Sequence, residues 1–231
     1  MWNSEKPLTC AGVSVLALLA VGVVTRAAAE GSAGTVIDGS ATASTTPESV
    51  GTSGILASLP IPPNYVQARD AEVVVDGSSA QLVRFVRADG RNAGLGGEHF
   101  SALVDSSGTL RGFTRMDLAL HGGPLPDEQE ARTIAMRFLS AHAPDLLPNL
   151  QISFIAPHHE PIVAENGTVT VTGMKVKMRN VADGRWAWVI VGSDLGVMVF
   201  ERDIVWANLE GRRTTELWLH DRWLAQNGNW L

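Results

Sequence analysis

The sequence predicts an α+β fold in which an antiparallel sheet carries one main amphipathic helix packed across it. Three observations lead there. Short apolar segments with period-two alternation recur between residues 73 and 200, the spacing of strands with one buried face. Turn signatures separate them, among them Asp76-Gly77, Asp105-Ser106-Ser107-Gly108 and Asn166-Gly167. Only residues 127–143 shift to a helical period, and a lone helix with one apolar stripe needs a sheet to cover.

The 231 residues are 45% hydrophobic and 18% charged, with a formal net charge of -6. That composition suits a globular chain of one or two small domains. The acidic balance excludes a general nucleic-acid binder, which needs a Lys/Arg-rich face to neutralise phosphates. Only Lys6, Lys175 and Lys177 are lysines, so arginine carries nearly all the positive charge, a bias that suits a bacterial chain.

Residues 1–29 read as an export segment. Lys6 belongs to a short polar start, residues 8–24 are almost wholly apolar, and Ala27 and Ala29 present the small side chains a signal peptidase requires. The alternative is an uncleaved anchor, because an apolar run of this length can span a bilayer with its N-terminus inside. In either case the rest of the chain is expected beyond the inner membrane. It would be periplasmic or secreted, or held to that membrane by this segment alone. Cys10, the single cysteine, lies within the segment, so the exported part is expected to have no disulfide, thiol nucleophile or thiolate metal site. Residues 30–66 are dominated by Gly, Ser, Ala and Thr and read as a flexible tether. The globular domain is expected over 67–231.

Within that domain, Val73-Val74-Val75 and Asp76-Gly77 read as a strand and its turn, with 81–87 as the returning strand. Residues 90–97 form a glycine-rich loop. Strands 100–104 and 109–116 follow, joined by the turn at 105–108. Asp127 can cap the helix with Glu130 three residues on. Ala131, Ile134, Ala135, Phe138 and Leu139 then form one continuous stripe, and Pro144 ends it. Strands resume at 151–155, 162–165, 168–171, 174–178, 186–191 and 197–200. Residues 157–161 read as a solvated loop and Asn166-Gly167 as a two-residue turn. Residues 212–230 fit a strand or a short helix equally. Val104 and Phe113 are echoed by Val191 and Phe200. Each pair encloses a glycine turn, and each Phe opens a Phe-x-Arg. A duplicated hairpin unit would give this pattern.

Gly96-Gly97-Glu98-His99-Phe100, continuing to Asp105-Ser106-Ser107-Gly108-Thr109-Leu110, resembles a pattern of PepSY domains and of the propeptides of thermolysin- and fungalysin-type metallopeptidases. Leu125-Pro126-Asp127-Glu128-Gln129-Glu130-Ala131 is similar to the start of the PepSY-type helix, with Pro126 where such families often carry Ser or Thr. The resemblance covers residues 81–155. It implies cystatin-like layers of sheet and helix, and a non-catalytic role in which a protein partner, a peptidase among the candidates, is restrained or chaperoned. No His-Glu-x-x-His occurs in the chain, and the resemblance carries over no active-site residue.

The densest set of potential metal ligands is His158, His159 and Glu160, flanked by Pro157 and Pro161. Adjacent strand residues point to opposite faces, so the two imidazoles do not chelate one ion, and no metal or cofactor is expected. Trp186, Trp188, Trp206, Trp218, Trp223 and Trp230 crowd the last quarter. They read either as core, each burying a large area, or as an aromatic platform. On the second reading the binding candidates are Trp186, Trp188, Trp218, Trp223 and Arg212. Glu201 and Asp203, among several arginines, read as ion-paired rather than catalytic. The expectation is a non-catalytic exported domain that binds a protein partner by strand addition or on a sheet face. The alternative is an envelope structural or ligand-binding module that uses the Trp-rich quarter.

Overall fold

The computed structural model describes residues 47–207 and 211–227. The export segment and the first part of the expected tether lie outside them. Among the described residues, eight strands form one antiparallel sheet: β1 (Tyr65–Val75), β2 (Ser78–Arg87), β3 (His99–Asp105), β4 (Leu110–Met116), β5 (Leu150–Ala164), β6 (Gly167–Asn180), β7 (Trp186–Val191) and β8 (Val197–Ile204). Their spatial order is β1-β2-β3-β4-β8-β7-β6-β5. Each half is a four-stranded meander, and the halves meet where β4 pairs with β8. At that seam Phe113 stands directly opposite Phe200, and Gly112 opposite Glu201. The two Phe-x-Arg segments of the sequence echo therefore lie side by side at the centre of the sheet.

Two helices, α1 (Pro47–Ser58) and α2 (Glu128–His142), serve one face. Asp127 accepts the Glu130 N–H at 2.8 Å, which satisfies one of the donors a helix start leaves open. Ala131, Ala135, Phe138 and Leu139 are buried against Phe100, Phe113, Val189 and Phe200 of the sheet. The Phe138 ring lies 5.6 Å from that of Phe113 and 5.2 Å from that of Phe200. The helix-on-sheet α+β arrangement thus follows from the stripe.

Three expectations are corrected. The tether is shorter than its composition suggests, because α1 and the start of β1 occupy residues read as flexible. Ile55, Leu56, Leu59 and Ile61 join the core on which α2 also packs, so a short apolar run at the end of a Gly/Ser/Thr-rich stretch is enough to order it. Residues 157–161 are strand rather than loop: β5 runs unbroken through both prolines, paired with β6. It is the outermost strand, where a missing N–H costs no ladder bond. The turn after it is Glu165-Asn166, since Ala164 pairs with Gly167, one residue earlier than Asn166-Gly167. By contrast, Asp76 and Gly77 both have positive φ (49° and 78°), and Val75 pairs with Ser78, as their sequence predicts.

The other face is covered by the C-terminal segment. A two-stranded ribbon of β9 (Trp206–Ala207) and β10 (Arg212–Arg213) leads to α3 (Asp221–Asn227). Trp218, Leu219, Trp223 and Leu224 pack on Leu82 and Leu103. No helix among the described residues is long and apolar enough to cross a membrane.

Candidate functional site

Between this second face and the C-terminal segment lies a cleft of about 440 Å3. Side chains from β3, β4, β5, β6, β7 and β8 all reach it, so the sheet wraps around it. The wrap closes at Gly96. Its carbonyl accepts the Val163 N–H of β5 at 2.7 Å, and its own N–H donates to the Asp221 carboxylate of α3. Gly96 has φ +82°, and a Cβ there would come within 2.9 Å of Val163 Cγ2. A Cβ on Gly97 would sit 1.9 Å from the Asn92 carbonyl oxygen. Glu98 is fully buried and accepts from Asn92 Nδ2 at 2.9 Å and from the Leu118 N–H at 3.1 Å. The Gly-Gly-Glu run therefore shapes the rim of the cleft. Two positions have no room for a side chain, and an acid pins the loop behind them.

Polar groups sit in pairs around the lining. Arg213 of β10 donates to Glu201 of β8 at 2.9 Å, and both side chains are almost wholly removed from water. Arg84 grips Asp221 with two donors, at 2.7 and 3.0 Å. Burial pushes the Asp221 carboxyl up, but the Arg84 guanidinium and the Gly96 N–H are among the groups that outweigh it and hold it below its ordinary value. His158 lies 2.9 Å from Glu160, both on β5. Burial raises the Glu160 carboxyl, and the His158 contact with nearby cations reverses that. Buried pairs of this kind position an element strongly even where their net stabilisation is small.

His99 and Lys175 differ from these pairs. His99 Nδ1 lies 2.9 Å from the Gly97 carbonyl, which can only accept, so Nδ1 carries the proton. Burial and the Arg84 guanidinium push the imidazole well below its ordinary value, leaving a neutral ring whose buried Nε2 has no hydrogen-bond partner. The Lys175 ammonium lies 4.1 Å from the centre of the Trp188 ring, and burial draws it below the usual lysine range.

No protein-family model, curated protein or solved structure matches the chain.

The residues singled out from sequence are distributed by this geometry. Trp188 lines the cleft, and Trp186, half-buried on the same strand, lies beneath Lys177 and Arg179. Trp218 and Trp223 are core residues, 2% and 9% exposed. Arg212 is exposed on β10. His158 and Glu160 face the cleft, whereas His159 turns away and bonds Thr172 Oγ1 at 2.9 Å. No three His, Cys, Asp or Glu side chains among the described residues converge as metal ligands. The sequence reading missed His99, Lys175, Arg213 and Asp221. The available signal was the alternation of Met174, Val176 and Met178 with Lys175 and Lys177. It marks a second face of β6 but not what that face meets.

Proposed function

We propose that this chain is a non-catalytic ligand-binding module of the bacterial cell envelope, and that the cleft is its site. One observation carries the reading: six adjacent strands and a C-terminal cover converge on one cleft of about 440 Å3, a size typical of small-molecule sites. Glu201 and Asp221 are held by arginines on separate elements, so they are pre-positioned rather than free to rotate. Export rests on residues 1–29, and the tether that remains would let a cleaved or anchored domain work at the envelope. The fold is read as PepSY-like layering of α2 on a sheet, doubled into two related meanders. Support for the doubling comes from the register that sets Phe113 against Phe200.

The test is retention of a compound. The full chain is equilibrated with a small-molecule extract of its host, washed and denatured, and the released compounds are identified by mass spectrometry. Leu217, 44% exposed at the mouth of the cleft, is replaced by Trp to block it. A compound kept by the native chain and lost from Leu217→Trp supports the site. Equal retention by both, or by neither, refutes it.

A protein partner is the second reading, favoured by the edge strand β1, which exposes Val66 and Val74. The opposite edge is poorly suited to strand addition, because Pro157 and Pro161 lack N–H groups and Gly96 takes that of Val163. A pull-down from the exported fraction, with the eluate assayed for peptidase inhibition, tests this reading. A stoichiometric, inhibited peptidase would replace the cleft as the functional centre.

A further inference from the structure

Resting on the cleft reading above, we infer that the ligand carries one carboxylate on a compact apolar body and that the Lys175 ammonium receives it. The charges already in the cleft point to this. Each acidic side chain has a resident partner: Glu201 has Arg213 at 2.9 Å, Asp221 has Arg84 at 2.7 Å, and Glu160 has His158 at 2.9 Å. Lys175 has none. Its ammonium lies against the Trp188 ring face and makes no hydrogen bond or ion pair among the described residues; the Glu201 and Glu160 carboxylates, each held by its own partner, act on it from beyond ion-pair distance. A cation partly withdrawn from water with no anion in contact is destabilised, and an anion that enters beside it restores part of what burial removes.

The number and sign of the ligand's charges follow. One half-buried cation with no anion in direct contact matches one negative charge. Arg213 cannot add a second, because its donors are committed to Glu201 and to the Thr215 and Glu216 carbonyls. A cationic ligand would meet Lys175 inside and exposed Arg222 at the rim. Thr114 and His220 aside, the rest of the lining is apolar, with Met116, Trp188, Ile190, Val199 and Leu219 offering surface for the ligand's body. Near Gly96, His99 Nε2 is a second polar atom without a partner, an acceptor that suits an N–H or O–H on the same ligand.

The probes are two acids, 3-phenylpropionate and octanoate, each with its primary amide and its amine, titrated calorimetrically into the full chain. Both acids are expected to bind at least about tenfold more tightly than their amides and amines, the size of one charge-assisted contact in a partly dry site. Lys175→Gln should bring acid and amide within about twofold of each other while the thermal midpoint stays near that of the native chain. N-acetyl-phenylalanine identifies the source of the carboxylate: binding tighter than 3-phenylpropionate assigns the site to a peptide C-terminus, and weaker binding to a free small acid. Both orders require the acid preference. Amides that bind as well as acids, or a preference that survives Lys175→Gln, overturn the inference. If no probe binds while a compound from the host extract is retained, the carboxylate assignment fails and the cleft reading stands. If nothing is retained either, both fail.

Discussion

Replacing Trp223 by Ala measures how firmly the C-terminal cover is fixed to the sheet. The indole is 9% exposed and packs with Trp218, Leu219 and Leu224 on Leu82 and Leu103. Its Nε1 donates to Glu216 Oε2 at 2.8 Å, while the Glu216 backbone N–H donates to Asp76 at 2.8 Å, on the turn between β1 and β2. A buried tryptophan withdraws roughly 200 Å2 from water, which at about 25 cal/mol per Å2 is near 5 kcal/mol. A compact unfolded chain reduces that to about 3–4 kcal/mol, and the lost hydrogen bond adds about 1 kcal/mol. The expected cost of Trp223→Ala is therefore about 4 kcal/mol, read from urea unfolding of the full chain by far-ultraviolet circular dichroism. Trp223→Phe should cost clearly less, because a phenyl ring still fills much of the site although the N–H and part of the indole go. A loss below about 1 kcal/mol for Trp223→Ala would refute the reasoning. The indole would then be a surface group, the segment would lie loosely on the sheet, and the cleft would have no roof.

His99 should make the protein acid-sensitive. Its folded pKa is depressed, by burial and by Arg84, from 6.5 to about 4. The unfolded chain therefore binds the proton first, and stability present above pH 6.5 is lost as the pH falls toward 4. Asp221, depressed as well, extends the loss below that window. The other charged or titratable group near the ring is His220. His99→Gln should flatten the dependence of the urea midpoint on pH between 7 and 4, and an unchanged slope would assign it to other groups. At the seam of the sheet, a Cβ on Gly112 would lie 2.2 Å from the Phe200 carbonyl oxygen and 2.8 Å from the Trp218 ring. Gly112→Ala should thus cost about 2 kcal/mol or more in the same unfolding assay, and a neutral result would mean that β4 and β8 can separate without penalty.

Local rules carried much of the fold. The α2 stripe, its Asp127 cap and the Asp76-Gly77 turn are decided by neighbours in sequence, and each was readable from a few residues. The errors fell where distant contacts overrode local pattern. Pro157 and Pro161 look like strand breakers until β5 is known to be an edge. Ile55, Leu56 and Leu59 look too sparse to fold until they join the core that α2 and the sheet share. The Trp-rich quarter was read as core or platform: Trp218 and Trp223 are core and hold the cover down, while Trp188 faces the space beneath it.

The cleft was the least legible feature because it depends on curvature, which no single strand encodes. Lys175 and Lys177 show why. They lie two residues apart on β6 and point to one face, so the sequence gives them the same environment. The wrapped sheet separates them. Lys177 reaches three rings, lying 4.3 Å from Trp186, 5.2 Å from Trp206 and 5.5 Å from Phe154. Aromatic faces stabilise a cation electrostatically, and with three of them Lys177 needs no anion. Lys175 stands deeper, where Arg213 and the cover converge, and has one ring. Between two chemically identical side chains, the fold gives one three ring faces and the other a single ring and no anion in direct contact. That asymmetry, set by where the sheet bends and where the C-terminal segment returns, is what makes Lys175 the position to mutate first.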